Sequence, residues 1–196
     1  MQPGNSSRQN LILLMIGSGL VLVAFAAFLL QGHQDNVALP KGQEKPEAVS
    51  AAALPLAVDF PAPDIRLTDL QGRPVAFTDY KGQVVLYNAW ATWCPPCKEE
   101  MPTLEAYYRA HRQEGFVVIA VEDGEPLAEV AAYAKAMGLT FPVWPDLKWV
   151  ASEAFGINNL PTSYVIDRNG TARLTWRGAI TRAALEQYIT PLLKEP

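Results

Sequence analysis

Only two cysteines occur in 196 residues, Cys94 and Cys97. A disulfide-stapled scaffold needs more of them. Histidine is equally scarce, with His33 and His111 alone. Without a second C-x-x-C pair, a tetrahedral zinc site lacks its ligands, and no metal is expected. Basic residues number 16 against 20 acidic ones, a net charge of −4. The basic footprint of a nucleic-acid binder is therefore missing. No G-x-G-x-x-G fingerprint follows a strand, so no organic cofactor is expected either. Charged residues make up 18% and hydrophobic ones 49%. That balance excludes a disordered or collagen-like chain, and the length suits one domain with some chain left over.

The longest apolar run, residues 11–30 (LILLMIGSGLVLVAFAAFLL), carries no charge. A membrane-spanning helix needs about 20 such residues. Arg8 precedes the run and the next basic residue is Lys41. The positive-inside tendency then keeps residues 1–10 in the cytoplasm and exports the rest. A cleaved signal peptide is the rival reading. Ala24-Phe25-Ala26 has the form of a cleavage site, but the apolar run continues past it. Both readings export the cysteines, and the anchor is the one adopted. Residues 31–59 read as a linker with Pro40, Pro46 and Pro55, leaving 60–196 as the folded domain.

Within that domain, residues 64–77 predict two short strands around Gln71-Gly72. Residues 84–90 (VVLYNAW) and 116–121 (FVVIAV) are nearly continuous apolar runs, as central strands covered on both faces require. Helices are predicted over about 95–112 and 126–137, the second stopped by Gly138. Residues 162–167 (TSYVID) and 171–176 (TARLTW) flank Asn169-Gly170, a hairpin signal. A last helix, 181–193, starts at a threonine cap. This order of elements predicts an α/β domain with a mixed sheet and helices on both faces.

The chemistry concentrates in AWATWCPPCKEEMP, residues 89–102. An apolar strand running to Trp93 leads into Cys94, and Pro95-Pro96 open a helix, where missing N–H groups do no harm. At a helix N-cap, the dipole and free N–H groups favour a thiolate. Cys97 lies one turn on and can close a disulfide with Cys94. An exposed attacking Cys94 and a sheltered resolving Cys97 are the expectation. Copper(I) carriage by the two thiolates, with Met101 as a further sulfur, is a binding-module alternative.

With Tyr80-Lys81-Gly82 before it and Leu160-Pro161-Thr162 after it, this segment resembles the TlpA/ResA-like membrane-anchored thiol–disulfide oxidoreductases of the thioredoxin superfamily. The resemblance spans about residues 60–193. It implies a thioredoxin-like fold: a central mixed β-sheet flanked by helices, an N-terminal β-hairpin, a single N-terminal transmembrane helix, and an insertion over about 122–145. By position, Cys94 is the nucleophile and Cys97 the resolving thiol. Pro161 matches a cis-proline facing the disulfide, and Leu160 then offers its backbone to a substrate peptide. Trp93 covers the disulfide, and Pro102 matches a helix-bending proline. Asn88 stands where cytosolic thioredoxins carry a buried acid. Glu100 is the substitute acid, its alternative being a solvated helix face. Glu99 reads as surface.

A peroxiredoxin-like resemblance competes, through the opening hairpin and FTDYKG. That pattern requires a threonine three residues before the attacking cysteine, where Ala91 stands. The preferred expectation is an exported, membrane-tethered reductase of protein disulfides. Its implied partners are disulfide-containing protein substrates, as in cytochrome c maturation, and a membrane thiol reductase of the DsbD or CcdA kind as electron donor.

Overall fold

The structure of the protein, a computed structural model, describes residues 54–195. The expected cytoplasmic segment 1–10 and anchor 11–30 lie outside the described residues. Among the described residues, no helix is long and apolar enough to cross a membrane.

Six strands form one sheet. In chain order they are β1 (Leu56–Pro61), β4 (Val84–Trp90), β5 (Phe116–Asp123), β6 (Val143–Asp146), β7 (Thr162–Ile166) and β8 (Thr171–Arg177), after the separate pair β2 (Arg66–Thr68) and β3 (Pro74–Ala76). Their spatial order is β1-β8-β7-β4-β5-β6. The strand β1 corrects the linker boundary expected at residue 59. Leu56 to Asp59 already belong to an edge strand paired antiparallel with β8. Its side chains are exposed or half-buried, so no run of apolar residues announced it.

The two central strands β4 and β5 run parallel. A parallel pair needs a crossover, and a helix supplies it. That helix is α1 (Pro95–His111). A second crossover, α2 (Leu127–Met137), links β5 to the parallel β6. The β7 and β8 strands add antiparallel neighbours. Every residue of β4 is buried, which explains its unbroken apolar run.

Side chains alternate between two cores. Val84, Leu86 and Trp90 of β4 pack with Met101, Leu104 and Tyr107 of α1 and with Val130 and Ala134 of α2. The final helices, α4 (Arg182–Tyr188) and α5 (Thr190–Leu193), close this face. A single helix over 181–193 was expected. The break falls at Ile189, because Pro191 has no N–H to continue the ladder. On the opposite face, Val85, Tyr87 and Ala89 meet Phe77, Trp144 and Phe155. There the rings of Tyr87 and Phe155 stack at 4.5 Å. This aromatic layer seats the short helix α3 (Val150–Phe155) beneath the sheet. Each such buried side chain contributes on the order of 1.5–3 kcal/mol, so α3 is firmly held.

Candidate active site

The strand β4 stops at Trp90, not at Trp93 as expected. Residues 91–94 turn instead, with the Cys94 N–H donating to the Ala91 carbonyl at 3.2 Å. Cys94 is the N-cap of α1, in an extended conformation. Its sulfur accepts a hydrogen bond from the Cys97 N–H at 3.3 Å. Pro95 and Pro96 occupy the first helical turn. The two cysteines form a disulfide with an S–S length of 2.04 Å and Cα atoms 5.3 Å apart.

Cys94 is only 3% exposed and Cys97 is 0% exposed. An openly exposed attacker is thus corrected for the disulfide form. The S–S bond and the Cys97 N–H draw the Cys94 sulfur back over the first turn of α1. The exposed neighbour is Trp93, at 65%. It is neither a core residue nor a continuation of the strand.

Glu100 is buried, 2% exposed, and the helix-surface alternative falls. One turn beyond Cys97, it shares that residue's face of α1. Its carboxylate accepts from Asn88 Nδ2 at 2.8 Å and from the Ile180 N–H at 2.9 Å. Asn88 Nδ2 also donates to Ser163 Oγ at 2.9 Å. Burial pushes the Glu100 pKa up to about 7, against the pull of the Ile180 and Asn88 hydrogen bonds. Asn88 therefore serves the acid on the helix, and not the backbone of its own strand. Glu99 is exposed. Pro102 sits inside α1, which continues through it.

The Leu160–Pro161 peptide bond is cis. Thr162 pairs with Ala89, so the antiparallel register carries residues 160–161 alongside the segment that follows β4. Pro161 is buried and Leu160 half-buried. Among the described residues, no hydrogen bond engages the Leu160 backbone. Cys94, Cys97, Glu100, Trp93, Leu160 and Pro161 are thus gathered at the C-terminal end of β4.

A second acidic group there escaped the sequence reading. Glu122, at 0% exposure, lies opposite Trp90 in the β4–β5 register. Its Oε2 accepts the Glu125 N–H at 3.0 Å, while Oε1 has no partner. Glu125 in turn accepts from the Thr92 N–H at 2.7 Å and from the Thr92 hydroxyl. Burial, then the hydrogen bond and charge of Glu125, push the Glu122 pKa up. Burial acts on Glu125 in the same direction. Hydrogen bonds from Glu122 and Thr92 outweigh it and leave Glu125 below the usual carboxylate range. The signal was available: a charged residue directly after the apolar run FVVIAV, in a strand covered on both faces.

Comparison with known proteins gives the same site a family. Residues 58–175 match the AhpC/TSA family. The thiol-disulfide oxidoreductase ResA of Geobacillus thermodenitrificans is 39% identical over 134 residues, 68% of this chain and 77% of that protein. ResA of Bacillus thuringiensis subsp. konkukian is 35% identical over 128 residues, 65% of this chain and 74% of its own. Among solved structures, a thiol:disulfide interchange protein of the thioredoxin family from Chlorobium tepidum TLS superposes with a TM-score of 0.64 at 28% identity. It covers 70% of this chain and 99% of that one. StoA from Bacillus subtilis gives 0.57 at 27% identity, covering 65% and 97%. A mixed sheet flanked by helices, a C-x-x-C disulfide at the first turn of α1 and these likenesses agree. The chain belongs to the ResA-like thiol–disulfide oxidoreductases of the thioredoxin superfamily, with Cys94–Cys97 as its redox centre.

Proposed function

We propose that this enzyme works as a reductase of protein disulfides, tethered to the outer face of the cell membrane by residues 11–30. The observation that carries the direction of electron flow is Glu100, buried one helical turn behind Cys97. A carboxylate there opposes a second negative charge on the pair. Strong oxidants of this superfamily stabilise their reduced form. A buried acid works against that stabilisation.

In the proposed cycle, the Cys94 thiolate attacks one sulfur of a substrate disulfide. That S–S bond breaks, a substrate thiolate leaves, and a mixed disulfide forms. Glu100 accepts the proton of Cys97, whose thiolate then attacks Cys94. The second substrate thiolate leaves and the Cys94–Cys97 bond closes. Two electrons pass from enzyme to substrate, and a dithiol donor returns them. A membrane thiol reductase of the DsbD or CcdA kind suits that role. With a pKa near 7, Glu100 is matched to proton transfer at neutral pH. The free Leu160 backbone offers an extended substrate peptide a strand to pair with. Disulfide-bonded apocytochrome c is the substrate the family resemblance favours.

The reduction potential of the pair tests the direction. A value near that of thioredoxin, about −270 mV, is expected, and one near that of DsbA, about −120 mV, would overturn it. Cys97→Ser should trap mixed disulfides on Cys94, which would also identify the substrate. A C-terminal alkaline phosphatase fusion should be active and membrane-bound; a soluble or inactive fusion sinks the tether.

Peroxide reduction is a second reading, favoured by the AhpC/TSA match. Against it, Ala91 stands where that chemistry needs a hydroxyl, and the Thr92 hydroxyl is engaged by Glu125. Stopped-flow oxidation of Cys94 by peroxide should be slower than by a disulfide peptide. For copper carriage, Met101 is fully buried in the core beneath the cysteines.

A further inference from the structure

A groove of about 250 Å³ begins at Trp93, the residue before Cys94, and is lined by Asp123, Trp149, Asn158 and Leu160. It is smaller than the roughly 300–1,000 Å³ of small-molecule sites, and its size suits one side chain. Two tryptophans border it, and both are largely in solvent, Trp93 at 65% and Trp149 at 52% exposure.

Trp149 holds its place at a conformational cost. It is the one non-glycine residue with positive φ among the described residues, at 55°. For a bulky side chain this is a true outlier, and it persists only where the surroundings enforce it. The enforcement is visible. The Trp149 N–H donates to the Asp146 carbonyl at 3.1 Å, and the Glu153 N–H donates to the Trp149 carbonyl at 2.8 Å. The Asp146 carboxylate takes the Ala151 N–H at 2.7 Å, closing the turn. Opposite the indole lies Gly124, where an added Cβ would stand 2.8 Å from the indole nitrogen. A bare backbone on one side and a left-handed tryptophan on the other thus set the ring at the groove wall. Core packing does not account for it, because the residue is half exposed.

We propose that Trp149 is a specificity-determining residue, which with Trp93 receives an aromatic side chain lying within two residues of the reactive cysteine of the substrate. An extended peptide advances about 3.3 Å per residue, so such a side chain reaches the groove while its cysteine stands at Cys94. Aromatic rings gain from edge and face contacts with the two indoles. Asp123 is the single charged residue of the lining, so an acidic side chain there is disfavoured. The proposal rests on the disulfide-reductase reading.

The test uses the reduced enzyme and four disulfide-linked peptides that differ only at that position, with Trp, Leu, Ser or Asp. The order of kcat/KM should be Trp, Leu, Ser, Asp, with Trp over Ser by about two- to tenfold. Trp149→Asn suits the control, because asparagine tolerates a positive φ. In that variant, which keeps Trp93, the Trp-to-Ser ratio should fall below that of wild type. Equal values for wild type on all four peptides overturn the groove while disulfide reduction stands. A ratio retained in Trp149→Asn overturns the role of Trp149. No reduction of any peptide by wild type overturns the function and the groove together.

Discussion

Two buried carboxylates flank the active-site turn, and they are buried in different company. Glu100, on α1, faces donors alone: the Asn88 amide and the Ile180 N–H. Glu122, at the end of β5, faces a second carboxyl, Glu125, and keeps one oxygen unpartnered. Burial raises the pKa of both. A donor-lined acid keeps fixed geometry through a change of charge, as a proton carrier requires. Beside the buried Glu122, Glu125 is held below the usual carboxylate range and takes the Thr92 N–H, so this pair holds a backbone in place. The difference teaches that partners, more than depth, separate a group suited to chemistry from one suited to positioning.

The largest expected effect comes from Glu100→Gln, which removes the titration and keeps the shape. Resolution of the mixed disulfide by Cys97 should slow by about 10²-fold, the lower end of general acid–base contributions. Single-turnover reduction of a disulfide peptide across pH reads it, and superimposable profiles for the two proteins would sink the proton-transfer role.

Next comes stability against pH. The folded-state pKa of Glu100, about 7, lies above its ordinary 4.5. Between those values the folded protein holds a proton that the unfolded chain has lost. This contribution is complete below pH 4.5 and disappears as pH rises through about 7, on the order of 3 kcal/mol. Denaturant unfolding at pH 4.5 and pH 8 should show the fall in wild type and a smaller one in Glu100→Gln.

Glu122→Gln sharpens the contrast. Its pKa is also raised, so its penalty grows with rising pH. The variant should be more stable than wild type at pH 8 and no more stable at pH 4.5, while the Cys97 step keeps its pH profile. A shifted Cys97 profile would make the two acids alike. The smallest effect belongs to Thr92→Val, which removes only the hydroxyl bond to Glu125. A loss of about 0.5–1.5 kcal/mol is expected in thermal unfolding, since the Thr92 N–H bond remains.

Much of this could be read from local pattern. Strand runs such as VVLYNAW carry their burial in every residue, and the Asn169-Gly170 turn announces its hairpin. The C-P-P-C segment states its chemistry by spacing alone, because a helix start and a three-residue step place two sulfurs together. Two features were not legible. The edge strand β1 has no apolar period, since its pairing with β8 uses backbone groups that every residue carries. Glu100 read equally as surface or site. Its burial depends on Ile180, 80 positions away, closing over it.

By itself, then, the sequence determined the order of the central strands and crossover helices, the redox pair and the choice of Cys94 as helix cap, all consequences of short-range spacing. Only the tertiary structure decided which acids are buried, which partners they meet, and where Trp149 stands against Gly124. Those outcomes arise where distant segments cross at the C-terminal end of the sheet. Desolvation and hydrogen bonding there are set by neighbours in space, which chain order does not name.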